Sequence, residues 1–392
     1  MSRKLIARNA DLQRLENEGY DLEFRSSGSL LLIRDVPFVD ASREVKRGTL
    51  VLRLTLAGDV ALKPTDHTAR WIGAHPCHAD GRKIGAIANS STAEDMGDGV
   101  RIEHVFSAKA DYRDYHHQAT TYIGRIAGEA ALLDPAADPR TFPAVPQTEK
   151  EGVHKYADTA STRAGIAALN SRLDGEIVGI IGVGGSGSYV LDLAAKTSSA
   201  EIHIFDKDIF QNHSAFRAPG AASIETLRQK LPKVDYFGGI YDDMRRGIFR
   251  HPVFIDASKL DLLDCLTFVF LCMDRGEQKR AIVEHLVRRG LPFIDVGMGL
   301  SLTDDKLTGL VRVVLSTPET RERAAPHISY AEGDAVANEY ASNIQSVELN
   351  ALNAALAVIR WKQYRGIYHD LRAASYLGYS IASGTLTDDN TP

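Results

Sequence analysis

The chain has 392 residues, 44% of them hydrophobic and 25% charged, with a formal net charge of -5. That length suits two domains, each able to bury a core, and the mild acidity excludes a nucleic-acid binder working by bulk phosphate neutralisation. No apolar run is long enough to span a bilayer, and the charged start MSRKLIARNADLQRLENEGY lacks a signal peptide's apolar centre. Three scattered cysteines, Cys77, Cys265 and Cys272, give neither a disulfide framework nor a CxxC zinc pair, so a reducing cytoplasm is the expected compartment.

In chain order, residues 9–19 read as a helix, and short alternating runs follow at 30–33, 50–56 and 101–106. An Ala- and Ile-rich helical stretch covers 115–133, so residues 1–133 read as a small α+β domain. The stretch DPAADPRTFPAVPQTEK, 134–150, carries four prolines and reads as an extended linker at the domain boundary. Residues 151–392 then form the second domain. It opens with a helical segment, 154–173. Strands are expected at 177–181, 201–206, 252–256, 267–272 and 291–295, with helices at 188–197, 223–231 and 277–289. That alternation implies a doubly wound parallel sheet, hence an α/β, Rossmann-like fold. A strand at 309–315, a polar stretch from 316 to about 338 and a long helix over 339–364 follow. The helix's Ala, Leu, Ile and Val spacing suits a core or dimer face, and the tail from 383 reads as disordered.

The segment GEIVGIIGVGGSGSYVLDLAAKTSSAEIHIFDKD, 175–208, carries most of the functional signal. An apolar strand stops at Gly182, Gly184, Gly185 and Gly187, a helix follows with Tyr189, Val190, Leu193 and Ala194 as apolar positions, and a second strand ends on Asp206. Glycines let the backbone turn tightly beside a phosphate, helix-start N–H groups attract its charge, and an acid ending the next strand accepts ribose hydroxyls. This is a nucleotide site; the loop alone suits an NAD-dependent dehydrogenase as well as an ATP enzyme. Downstream spacing favours ATP. Asp206-Lys207-Asp208 leads to HSAFR ending at Arg217, Lys233 lies at the expected end of the next helix, and the strand FVFLCMD delivers Asp274 to the sheet's carboxyl edge. Cations neutralise charge growing on the α-phosphate as pyrophosphate leaves, while carboxylates hold Mg²⁺ and ribose.

With these motifs, GVGGSGS (182–188), DKDIF…R (206–217), Lys233 and Asp274, residues 151–365 resemble the adenylation domain of the ThiF/MoeB/ubiquitin-activating enzyme superfamily. HSAFRAPG (213–220) and ELNALNAALAVIRWK (348–362) resemble its bacterial group with an extra N-terminal domain. The resemblance implies ATP- and Mg²⁺-dependent adenylation of the C-terminal glycine of a ubiquitin-like or sulfur-carrier protein by a homodimer. It implies that Asp206 holds ribose, Arg217 and Lys233 the phosphates, and Asp274 the metal. Arg163 matches the arginine that reaches the partner subunit's nucleotide. Ser214 stands where the family pattern has asparagine, three residues before the arginine, and no cysteine follows Cys272. Adenylation is therefore implied, and a thioester on this domain is not.

In the first half, HPCHADGRKIG (75–85) resembles the His-Pro-Asn…Cys stretch of ubiquitin-conjugating enzymes, with Cys77 at the asparagine position and Gly85 at the nucleophile position. The resemblance implies a domain that kept the fold and lost the nucleophile. Taken one by one, bland roles compete. Asp208 also suits a turn cap, Cys272 a small core residue, and His75, Cys77, His78 and Asp80 a polar turn instead of a metal site. His116-His117 suits a solvated or partner-facing helix surface. The expected function is adenylation. The alternatives are a nucleotide-binding pseudoenzyme scaffold for a ubiquitin-like protein, and an NAD-dependent oxidoreductase.

Overall fold

The computed structural model describes residues 5–6, 8–149, 152–273, 276–330 and 344–390. They form two compact units, Met1–Glu151 with Ala157–Gly165, and Gly152–Tyr156 with Ile166–Pro392.

In the first unit, helix α1 (Ala10–Glu18) ends at Gly19, whose φ of 98° gives the left-handed cap that favours glycine. An antiparallel sheet follows: β1 (Asp21–Arg25), β2 (Leu30–Val39), β3 (Val45–Arg53), β4 (Thr68–Ile72), β5 (Ala88–Ser90) and β6 (His104–Ser107). The spatial order is β1-β2-β3-β4-β6-β5. Helix α2 (Tyr115–Leu133), capped by the Asp114 side chain, lays Tyr115, Tyr122, Ile123 and Ile126 on a core shared with Leu31, Ile33, Phe38 and Trp71. Part of the proline-rich stretch packs here too, since Ala137 is buried and the Phe142 N–H donates to the Gly19 carbonyl at 2.9 Å. His116 departs from the surface reading: it is buried, with Nε2 2.9 Å from Glu18 Oε2.

The expected helix over 154–173 is broken into Thr159–Arg163, Ala167–Asn170 and a 3₁₀ turn, Ser171–Leu173. Gly165, at φ 67°, interrupts it.

In the second unit, β7 (Ile177–Ile181), β8 (Glu201–Phe205), β9 (Ile248–His251), β10 (Phe268–Leu271) and β11 (Phe293–Thr303) begin an eight-stranded sheet. β12 (Lys306–Ser316), β13 (Tyr376–Ser380) and β14 (Thr385–Asp388) complete it in the order β9-β8-β7-β10-β11-β12-β13-β14. The first five are parallel and the rest antiparallel. By chain order the parallel part reads 3-2-1-4-5, a Rossmann-like half with its switch point between β7 and β10. Both central strands are buried on each side, which is why they read as continuous apolar runs. Helices α3 (Gly185–Ala195), α4 (Lys233–Asp242) and α6 (Val347–Tyr364) cover one face, and α5 (Glu277–Arg289) the other.

Several expectations shift. The strand expected at 252–256 lies earlier, at β9, because Ile248 carries the inward apolar position there. The helix expected at 223–231 is one turn, Ile224–Arg228, before α4. The last long helix starts at Val347 after the extended Ser346; 331–343, which hold part of the expected polar stretch and helix start, lie outside the described residues. The tail is not disordered at 385–388: β14 pairs with β13 at the sheet edge, with Asp388 bound by Arg372.

Candidate nucleotide site

The site stands at the carboxyl ends of β7, β8 and β10. Gly182 turns out of β7 at φ 87°, and a Cβ there would stand 2.7 Å from the Cys272 carbonyl oxygen. A Cβ on Gly187 would lie 1.8 Å from the Gly182 carbonyl oxygen, so only glycine lets α3 begin this close to the strand. At Gly184, the α3 N-cap, nothing lies within 4 Å of a Cβ position, which leaves the backbone open to approach. Gly185 opens the helix against Asn350 of α6, whose Oδ1 accepts from the Ser186 hydroxyl at 2.9 Å. The first N–H groups of α3 have no partners within the helix and point at this turn.

β8 delivers Asp206 beside that turn. Its carboxylate accepts from the Val183 N–H at 3.0 Å and the Asp208 N–H at 2.9 Å. Only 9% of the side chain is exposed. Burial pushes its carboxyl above the usual range, and the Lys233 ammonium pulls against that rise. Lys233 is the first residue of α4, whereas the sequence suggested the end of the preceding helix, because Pro232 fixes a new helix start just before it. Its N–H donates to the Asp208 carbonyl at 2.8 Å, and its buried Nζ lies 2.8 Å from Asp208 Oδ2 and 3.7 Å from Asp206 Oδ2. Asp208 itself is 57% exposed.

Arg217 follows the short helix Asn212–Ala215; its Nε donates to the His213 carbonyl at 3.2 Å and its Nη1 to Gln345 Oε1 at 3.1 Å. Burial, then the charges of Arg217 and Lys233, hold the His213 imidazole below its usual pKa, so His213 feels both cations. Ser214 is buried with no hydrogen-bond partner for its hydroxyl. Sequence reasoning did not single out His213, Gln345 or Asn350. His213 stood inside the quoted HSAFR and Asn350 inside ELNALN, but only the fold shows that they face the loop region.

Asp274 lies outside the described residues. Arg163 belongs to the first unit, where its Nη2 donates to the Asn17 carbonyl at 2.9 Å and its guanidinium lies 5.8 Å from the Phe142 ring centre. Among the described residues, no group of three or more His, Cys, Asp or Glu side chains is arranged to hold a metal ion. For Mg²⁺ the available oxygens are the exposed Asp208 carboxylate and the buried Asp206 carboxylate, both shared with Lys233. No described helix is long and apolar enough to cross a membrane.

Cys272 and Cys77 fit structural roles. Burial pushes the Cys272 thiol far up, with the Asp295 charge adding to the rise. Cys77 is buried, its thiol also raised by burial, and it donates to the His75 carbonyl. His78 pairs instead with Glu129 at 2.8 Å.

The family described as Domain of unknown function (DUF6791) matches residues 10–159. No curated protein matches the chain. Among solved structures, E. coli MccB with ATP is 17% identical, with 59% of this chain and 69% of that chain covered and a TM-score of 0.45. E. coli MccB with MccA is 16% identical at the same coverage, TM-score 0.46. PaaA is 15% identical over 57% of this chain and 75% of that chain, TM-score 0.43.

Proposed function

We propose that this chain is an ATP-dependent adenylyltransferase that activates the C-terminal glycine carboxylate of a ubiquitin-like or sulfur-carrier protein. The observation that carries the reading is Lys233, a buried cation shared by Asp206 and Asp208 beside the glycine turn. A dinucleotide site needs few cations beside its ribose-binding acid. Here a lysine is folded into the acid pair, and Arg217 follows nine residues after Asp208. That mixture suits a triphosphate with a departing pyrophosphate.

The chain's residues divide the work. Asp206 accepts ribose hydroxyls with a carboxylate already oriented by two backbone N–H groups. The α3 start and the open backbone at Gly184 hold phosphate oxygens. Lys233 turns from Asp208 towards the phosphates, and Arg217 swings from Gln345 to meet them. The substrate carboxylate attacks the α-phosphorus in line, a P–O bond breaks, and pyrophosphate leaves with its charge met by the two cations. Mg²⁺, when bound, supplies further neutralisation of the phosphates, with Asp208 and Asp274 as its proposed carboxylates. A homodimer, with Arg163 reaching the partner subunit's nucleotide, belongs to the same proposal, as does a first domain that positions a carrier without transferring it.

The test is ATP–pyrophosphate exchange on the full chain with a glycine-ended carrier protein. Carrier-dependent exchange supports the reading. ATP binding without exchange for any carrier favours the scaffold alternative, which Ser214 at the family's asparagine position and the lack of a cysteine after Cys272 keep open.

A further inference from the structure

Two asparagines interrupt the buried stripe of α6, and one of them meets the start of the helix that faces the nucleotide turn. The stripe runs Asn350, Asn353, Ala354, Ala357, Val358 and Trp361, the spacing of one helix face. Its apolar members share a core with Val190, Leu191 and Ala194 of α3. Asn353 is 1% exposed, and its Nδ2 donates to the Gly297 carbonyl of β11 at 3.0 Å. Asn350, equally buried, turns to α3 instead, where its Oδ1 accepts from the Ser186 hydroxyl at 2.9 Å.

This contact accounts for a glycine that the backbone does not require. Gly185 lies in the first turn of α3 without the positive φ of Gly182, and glycine inside a helix is otherwise unfavourable. Asn350 is what excludes a side chain there. A Cβ on Gly185 would stand 2.3 Å from Asn350 Nδ2 and 2.6 Å from its Cγ and Oδ1. The carboxamide therefore lies against the Gly185 backbone while its oxygen holds the Ser186 hydroxyl. Both contacts fall on residues that supply the free N–H groups of the helix start, the groups that meet an anion's charge. Gln345, two residues before α6, accepts from Arg217, so the same end of α6 reaches both elements proposed to face phosphate.

We propose that Asn350 is a positioning residue for phosphate binding: it sets the first turn of α3, so that the Gly185 and Ser186 N–H groups are in place before a nucleotide arrives. It does not touch the ligand. Fixing donors beforehand removes the ordering cost from binding. This deepens the nucleotide reading and rests on it, since only a ligand that carries phosphate uses the turn. A nucleoside held through its ribose by Asp206 on β8 is indifferent to it. Asn353 is the internal comparison: the same residue type, helix and burial, bonded to β11 in place of α3.

The test compares ATP·Mg²⁺ with adenosine on the full chain, by calorimetry for the nucleotide and ligand-observed NMR for the nucleoside. Asn350→Ala should weaken ATP roughly 2- to 12-fold, the range for losing one uncharged hydrogen bond, and leave adenosine within twofold. Ser186→Ala, which leaves α6 intact, should show the same ATP-specific loss even where Asn350→Ala does not fold. Asn353→Ala should lower the ligand-free Tm yet leave ATP within twofold. Gly185→Ala should weaken ATP more than Asn350→Ala does, and the double variant should return to the Asn350→Ala level, because the Cβ then has room. Unchanged ATP binding in both Asn350→Ala and Ser186→Ala, or equal losses of ATP and adenosine, overturns the proposal, as does a double variant no better than Gly185→Ala. A native chain that prefers neither ATP nor NAD⁺ to adenosine overturns it too. A native chain that binds NAD⁺ and not ATP overturns the adenylation reading. If Asn350→Ala then weakens NAD⁺ and not adenosine, the positioning role stands.

Discussion

Replacing Asp206 by asparagine should move stability and nucleotide binding in opposite directions. In the folded chain its carboxyl is pushed by burial above the usual 3.8. The folded state therefore keeps that proton to higher pH than the unfolded state. Stability from this group is complete below the unfolded value and is lost as pH rises through the raised folded value. At pH 7 the ionised carboxylate is thus a net cost. Asparagine removes the charge, keeps an acceptor for one of the two N–H donors from Val183 and Asp208, and leaves Lys233 paired with Asp208 at 2.8 Å. The ligand-free Tm should rise at pH 7, and the gain should shrink as pH falls towards the range where the native carboxyl is protonated. Nucleotide binding should weaken, because hydrogen bonds to a charged acceptor are worth about 1.5–3 kcal/mol, or roughly 10- to 150-fold in Kd. ATP·Mg²⁺ at 100 times the native Kd stabilises by ~2.7 kcal/mol. A tenfold loss leaves ~1.4 and a hundredfold loss ~0.4 kcal/mol. Melting with and without ATP·Mg²⁺ from pH 4.5 to 8 reads both effects. An undiminished ATP shift in Asp206→Asn would refute the ribose role, and a lower ligand-free Tm at pH 7 would refute the burial argument.

Arg217→Ala and Lys233→Ala should each slow adenylation by ~10²–10³ in a pyrophosphate-exchange assay; near-native rates would remove them from the phosphate site. Gly187→Ala should abolish the ATP-induced melting shift, since its Cβ would press on the Gly182 carbonyl oxygen, and a normal shift would show that the turn has another form. Asp274→Ala should reduce adenylation and its Mg²⁺ dependence, and unchanged Mg²⁺ titration would sink the metal assignment. Cys77→Ser, a buried thiol raised by its surroundings, should leave adenylation within twofold, and a large loss would call for a reactive role.

The Rossmann-like half was legible because its central strands, β7 and β10, are buried on both faces and so appear as unbroken apolar runs, while Gly182 and Gly187 sit where no other residue fits. The acid pair and Lys233 were legible as residues but not as geometry: Lys233 was expected at a helix end, and it starts α4. The break at Gly165 hid inside a segment of good helix formers. The C-terminal hairpin read as a disordered tail because TLTD is polar, and its order comes from pairing with β13 and the Arg372–Asp388 contact.

The central claim, that this is an ATP site and not a dinucleotide site, is tested most directly by a thermal-shift panel on the purified chain. ATP·Mg²⁺, ATP with chelator, NAD⁺, NADH and NADP⁺ are compared at equal concentration. The account predicts a shift with ATP alone, larger with Mg²⁺. A shift with NAD⁺ or NADH and none with ATP would contradict it.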